Sequence, residues 1–154
     1  MEKKELELYI HIPFCVRKCN YCDFLSFPAD EDTQRQYVKA LCKEIFYYGA
    51  HCRDYVVSTV YIGGGTPSWL WESDMAEIMD AVHKNFALLP DAEVSVECNP
   101  GTVTAQKFAV YRQSGINRIS LGLQSAQNVE LKMLGRIHTW EQFLKTDELA
   151  RSGG

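Results

Sequence analysis

Apolar and polar positions alternate from Leu6 to Ile12. Leu6, Leu8, Ile10 and Ile12 share one face, and Glu7, Tyr9 and His11 share the other, which predicts a first strand. Residues 13–29 read as a loop ending in Ser-Phe-Pro. From about Asp32 the period changes. Tyr37, Leu41, Ile45 and Tyr48 recur at three- and four-residue spacing and predict a helix, with Cys42 beside the stripe as a small buried residue. Val56 to Ile62 reads as a second strand, and Gly63-Gly-Gly-Thr-Pro67 turns the chain. A second helix runs from about Ser73 to Phe86 on the stripe Met75, Ile78, Met79, Val82 and Phe86. Pro90-Asp91 resets the chain before a third strand, Glu93 to Cys98, and Asn-Pro-Gly turns it again. Thr104 caps a third helix that ends at Ser114-Gly115, and Asn117 to Leu123 is a fourth strand. A short helix from about Asn128 to Leu134 follows. Thr139-Trp-Glu-Gln142 is a capping box opening a last helix that stops at Ser152-Gly-Gly154.

Strand–helix units in series imply an α/β fold with a parallel sheet. A parallel sheet buried on both faces usually has near-continuous apolar strands. Here Tyr9 and His11, Thr59 and Tyr61, Ser95 and Glu97, and Arg118, Ser120 and Gln124 each fall on one parity, while the opposite parity is read as Leu, Ile and Val. One face therefore packs on helices and the other lines something polar. A partial barrel around a polar cofactor meets that requirement.

The bulk numbers narrow the partners. A chain of 154 residues with 46% hydrophobic and 23% charged residues is ordinary for one globular domain. A net charge of −4 without a basic run argues against nucleic acid. No apolar stretch approaches the roughly 20 residues that span a bilayer, and the start, Met1-Glu-Lys-Lys-Glu, has no signal-peptide core. The expected location is cytoplasmic. There, six cysteines point to metal or catalysis before disulfides.

Three of those thiols, Cys15, Cys19 and Cys22, lie within eight residues directly after the first strand, spaced C-x3-C-x2-C. Thiolates are soft ligands for zinc or iron–sulfur clusters. A 4Fe-4S cluster takes one ligand per iron, so three cysteines leave one iron open to a further ligand. Two other readings compete. Structural zinc normally has four ligands in two spaced pairs, and no second C-x-x-C exists in this chain. A thioredoxin-like pair at Cys19 and Cys22 should open a helix, but Cys22 is followed by Asp-Phe-Leu-Ser-Phe-Pro.

The thiol spacing after Tyr9-Ile-His-Ile-Pro-Phe resembles the radical S-adenosylmethionine (SAM) superfamily. The resemblance implies that the open iron is chelated by the amino and carboxylate groups of SAM. It also implies that an electron from the cluster breaks the sulfonium bond to give a 5′-deoxyadenosyl radical. Sites in parallel barrels lie at the C-terminal ends of strands, and the family's motif positions fall there. Gly64, Gly65 and Thr66 look like the glycine-rich motif that contacts the methionyl amino group. Glu97 and Tyr9 match further SAM contacts, and Tyr21 looks like the residue packing near the adenine. Gln124 and Arg136 match contacts that hold a second SAM in one branch of the family. His11 and His138 look like motif residues, with a structural, hydrogen-bonded role an equal alternative. Cys98 reads as core by parity. No catalytic residue is assigned. Radical SAM domains usually carry six βα units in an incomplete barrel, and about four are present. The expected domain is thus 1–154, a radical SAM core truncated before strand five, with fourth-strand edge exposure favouring self-association.

Five motifs together, Tyr-Ile-His-Ile-Pro-Phe-Cys, Gly-Gly-Gly-Thr-Pro-Ser, Glu-Cys-Asn-Pro, Gly-Leu-Gln-Ser and Leu-Gly-Arg-Ile-His-Thr, resemble the oxygen-independent coproporphyrinogen III oxidase-like group. In that group the true oxidase carries a further cysteine two residues after the third ligand. Here that position is Phe24, which resembles the heme chaperone branch, HemW. The resemblance implies heme as cargo, heme-acceptor proteins and an electron donor as partners. The branch's heme-binding histidine motif and C-terminal domain would lie beyond residue 154. A porphyrinogen-decarboxylating oxidase and an inactive cluster-binding fragment are the alternatives. Arg17, Lys18 and Arg118 are candidate partners for porphyrin carboxylates, with plain surface charge as their simpler reading.

Overall fold

The computed structural model describes residues 2–15, 30–136 and 138–153. Within them β1 (Lys4–Ile12), β2 (Tyr55–Gly64), β3 (Leu88–Cys98) and β4 (Arg118–Leu121) form one parallel sheet in the order β1-β2-β3-β4. α1 (Glu31–His51), α2 (Glu72–Asn85) and α3 (Ala105–Gln113) occupy the three crossovers. A 3-10 turn (Pro67–Trp69) precedes α2, and α4 (Asn128–Met133) and α5 (Trp140–Ser152) follow β4. Each new strand adds beside the last, which is how a barrel wall grows; a doubly wound sheet would reverse its order. The α/β, partial-barrel expectation is met for four βα units.

Local chemistry starts the helices where the sequence places them. Asp30 accepts from Thr33 N at 2.8 Å and opens α1, one residue before the expected start. Thr104 accepts from Lys107 N at 3.1 Å and opens α3. Thr139 and Gln142 exchange backbone and side-chain hydrogen bonds as a capping box at α5.

One core lies between the sheet and its helices. Ile10 and Ile12, Val60 and Ile62, and Val94, Val96 and Cys98 pack there against Val38 and Ile45 of α1 and Met75, Ile78, Met79 and Val82 of α2. Phe108 and Tyr111 of α3 complete it. Arg35 of α1 pairs with buried Asp74 and with Glu77 of α2, tying the two helices outside the apolar layer. Among the described residues no helix is long and apolar enough to cross a membrane.

Four expectations need correction. Tyr48 is 52% exposed, because the buried line of α1 runs through Gln34, Val38, Ile45 and Gly49. Gly49 sets that line: a Cβ there would stand 2.5 Å from Asn85 O, so the helices approach closely at this point. In β2, Val57 shares sequence parity with Thr59 and Tyr61 yet is 1% exposed on the core side. Ser58 is the cause, an extra residue between the pairs Leu6–Val57 and Glu7–Thr59, and such a bulge inverts the faces below it. Pro90-Asp91 does not precede β3 but loops out within it, since Val57 pairs with Leu88 and Thr59 with Glu93. β4 ends at Leu121, two residues early, because the Gly122 and Leu123 carbonyls bond to Arg136 at 2.7 Å and His138 at 3.1 Å.

Ile78→Ala, at a fully buried position, should lower unfolding free energy by about 2–5 kcal/mol in urea titration. Tyr48→Ala should stay within about 0.5 kcal/mol of wild type. Equal losses would show that α1 is rotated from the packing described.

Candidate functional site

The C-terminal ends of β1, β2 and β3 meet through backbone. Ile12 pairs with Gly64, Gly65 N–H donates to Ile12 O at 2.7 Å, and Thr66 N–H donates to Phe14 O at 2.6 Å. A Cβ on Gly64 would sit 2.6 Å from Ile12 O, and one on Gly65 would sit 2.5 Å from Phe14 O. Gly64 also has φ +118°, a left-handed conformation natural to glycine. Two of the three glycines therefore serve a close backbone approach. That approach carries the buried Cys15 to the end of the sheet beside the glycine loop.

Glu97 occupies the space that a Gly63 side chain would need, with its carboxylate 3.1 Å from that Cβ position. Tyr61 O–H donates to Glu97 Oε1 at 2.6 Å, and Gly64 N–H donates to Oε2 at 3.2 Å. Burial, the Glu97 bond and the Glu97 charge push the Tyr61 phenol up to about 12, so it remains a donor at neutral pH. Tyr9 stacks on Tyr61 with ring centres 6.2 Å apart and bonds His11 Nδ1 at 3.0 Å. Tyr9 is 61% exposed, so this aromatic step faces open space on the polar side of the sheet.

A second network joins the glycine loop to the segment after β4. Asn99 Nδ2–H donates to Thr66 Oγ1 at 3.0 Å, and Asn99 Oδ1 accepts from Arg136 Nη2 at 3.1 Å. Arg136 also donates to Gly122 O and, through Nε, to His138 Nδ1 at 3.2 Å. His138 Nε2 then bonds Leu123 O at 3.1 Å. The imidazole thus accepts at Nδ1 and donates at Nε2, which requires its neutral form. Burial, then the Arg136 charge, hold its pKa below the usual histidine range. His138 is a structural histidine. Gln124, in the left-handed region at φ 71°, lies on the same corner: the Cβ position of Gly122 is 3.2 Å from Arg136, 3.5 Å from Asn99 and 3.6 Å from Gln124.

Of the expected site residues, Gly64, Gly65, Thr66 and Glu97 come together at the ends of β2 and β3, with Tyr9 one step down the polar face. Arg136 and Gln124 gather at the end of β4. Cys19, Cys22 and Tyr21 lie outside the described residues, as do Arg17, Lys18 and Phe24. Arg118 sits at the start of β4, 3.9 Å from Glu93, at the opposite strand end from the glycine loop. Cys98 is buried in the core as expected, its thiol pushed up to about 12 by burial. Tyr61 and Asn99 are site residues that sequence reasoning missed as such. Tyr61 carried a signal, its parity with Glu97; Asn99 read only as a turn former.

A family model for the radical SAM superfamily matches residues 9–154. The chain belongs to the radical SAM superfamily. Membership implies a 4Fe-4S cluster and SAM. The chain is 43% identical over 150 residues to heme chaperone HemW of Escherichia coli, covering 97% of this chain and 40% of that protein. It is 41% identical over 135 residues to HemW of Mycobacterium tuberculosis, covering 86% of this chain and 35% of that protein. It thus spans about two fifths or less of the relatives it matches. The solved coproporphyrinogen III oxidase (HemN) of Escherichia coli, a radical SAM enzyme, superposes with a TM-score of 0.90 at 29% identity, covering 99% of this chain and 35% of that one.

The described residues of this radical SAM chain fit part of what such cofactors need. The Cys15 thiol is of the soft kind that an iron–sulfur cluster takes. The Glu97 carboxylate, with about four lone-pair sites and two of them used, can still accept from an amino group. Thr66 and the glycine-loop backbone offer polar atoms beside it.

Gly65→Ala should cost about 1–3 kcal/mol of stability from overpacking against Phe14 backbone, and should lower the iron bound per chain after anaerobic reconstitution. Unchanged iron content would separate the glycine loop from the cysteine segment. His138 should make stability fall as pH drops below about 6.5, the unfolded histidine value, because the folded state resists its protonation. His138→Asn should flatten that part of the slope in urea midpoints measured from pH 7 to pH 5.

Proposed function

We propose that this chain is the cluster- and SAM-binding core of a cytoplasmic heme chaperone, with residues 1–154 forming the first four βα units of the barrel. The observation that carries the reading is the 43% identity to a heme chaperone across 97% of the chain, against 29% to the oxidase. Phe24 supports it, standing where the resemblance to the oxidase calls for a further cysteine. In this reading Cys15, Cys19 and Cys22 hold the cluster. Glu97, with its remaining acceptor sites, takes the N–H hydrogens of the SAM amino group, and Gly64, Gly65 and Thr66 shape the wall against the amino-acid head. Tyr9 and Tyr21 border the nucleoside. Gln124 and Arg136, at the end of β4, would contact a second SAM or the cargo. The cluster, when bound, supplies one electron to the sulfonium.

The chain's own residues bind and orient. Tyr61 and Gly64 N–H hold the Glu97 carboxylate in one orientation, so the amino group meets a fixed acceptor. Heme is the proposed cargo, acceptor proteins receive it, and a reductase-type protein donates the electron. The close superposition on the oxidase favours a second reading, radical decarboxylation of porphyrinogen propionates.

The experiment uses full-length protein, reconstituted without oxygen. Heme should bind with a shifted Soret band, and incubation with coproporphyrinogen III, SAM and reductant should leave the porphyrinogen intact. Protoporphyrinogen formation would replace the chaperone reading with the oxidase one. On the present chain, Cys19→Ala should abolish the iron–sulfur absorbance, and a tetrahedral zinc ion without sulfide would overturn the cluster assignment.

A further inference from the structure

Asn99 occupies a position that its neighbours define completely. The Arg136 guanidinium carries only donors, so the amide must present Oδ1 to it, at 3.1 Å. Nδ2 must then face Thr66 Oγ1, at 3.0 Å. The backbone fixes the side chain's origin. Asn99 N–H donates to Ser68 Oγ at 3.1 Å, and Asn99 O accepts from Thr102 N at 3.1 Å and Thr102 Oγ1 at 2.6 Å. Thr66 itself is 4% exposed, its N–H committed to Phe14 O. Its oxygen already accepts a hydrogen bond, and among the described residues no acceptor takes its hydroxyl hydrogen.

We propose that Asn99 is a positioning residue that fixes the Thr66 hydroxyl as a hydrogen-bond donor toward a carboxylate oxygen of the bound SAM amino-acid head. The inference rests on the cofactor site proposed above. With Glu97 taking the amino group in the proposed site, the carboxylate of the same head would fall to a donor further along the loop, and Thr66, two positions on from Gly64, has the uncommitted hydroxyl hydrogen. A hydroxyl that could rotate freely would donate to this group only part of the time. Asn99 removes the alternative by offering Thr66 a donor and no acceptor. Through Arg136 the same amide is braced against the Gly122 carbonyl, so the segment after β4 sets the state of a residue after β2.

Asn99→Asp is the decisive substitution. It has the same shape and keeps an acceptor for Arg136, but both its oxygens accept, so the Thr66 hydrogen turns to it and away from the ligand. In anaerobically reconstituted full-length protein, SAM titration calorimetry should show Kd raised roughly tenfold, the loss of one hydrogen bond to a charged group. Iron and sulfide content and Tm should match wild type. Thr66→Val should give the same loss, the double variant no more than either single one, and Thr66→Ser should restore wild-type affinity. Decarboxylated SAM should bind all these proteins alike. Wild-type affinity in Asn99→Asp would overturn this inference alone, as would an equal loss for SAM and its decarboxylated analogue. A wild-type protein that binds cluster but no SAM would overturn the site reading and this inference with it.

Discussion

The close passage of Ile12–Phe14 over Gly64–Thr66 is the constraint on which the rest of the site depends. Two backbone hydrogen bonds and a strand pairing hold it, and a Cβ at Gly64 or Gly65 would enter carbonyl oxygen. Through this contact β1 delivers Cys15 to the sheet end, and β2 delivers a backbone N–H to Glu97. A cysteine and a carboxylate from distant parts of the chain thereby share one corner. The glycines are thus needed for the chain's own packing, whatever ligand also profits from the missing side chains.

The sheet's two faces divide the labour. Helices cover one face with aliphatic side chains, and burial of that layer supplies the main driving force for folding. The other face stays polar along Tyr9, Tyr61, Ser95, Glu97 and Ser120. Its groups are satisfied in pairs: Tyr61 with Glu97, Tyr9 with His11, Arg118 with Ser95. Buried or half-buried polar groups are costly unless bonded, and this pairing lets the face remain ordered while presenting acceptors and aromatic edges inward.

At the far corner a chain of side chains, Thr66–Asn99–Arg136–His138, links the ends of three strands. It satisfies the carbonyls that β4 leaves unpaired as it ends, and it keeps His138 neutral in contact with a cation. A histidine in a motif is easily taken for a ligand or an acid–base group. Here both ring nitrogens are occupied by structural bonds, and burial disfavours its charged form.

Much of this was legible in the chain itself. Alternation and three-to-four periodicity gave the strands, the helices and the polar face, because a side chain's burial depends on a regular backbone period. The capping residues Thr104 and Thr139 marked helix starts, since their partners lie within three residues. The spacing of Cys15, Cys19 and Cys22 offered three soft ligands, the number that a 4Fe-4S cluster with one open iron takes, though Cys19 and Cys22 lie outside the described residues. What needed the fold was every relation between segments far apart. Gly49 against Asn85 turned the buried stripe of α1 away from Tyr48. The extra residue Ser58 moved Val57 to the core, and the pairs Val57–Leu88 and Thr59–Glu93 left Pro90-Asp91 looped out of β3. Tyr61 became the partner of Glu97, and Asn99 the link between Thr66 and Arg136, only when strand register brought them within hydrogen-bond distance. Local period and spacing are properties of neighbours in sequence; bulges, register and shared partners arise when separate strands pair, and no single segment contains them.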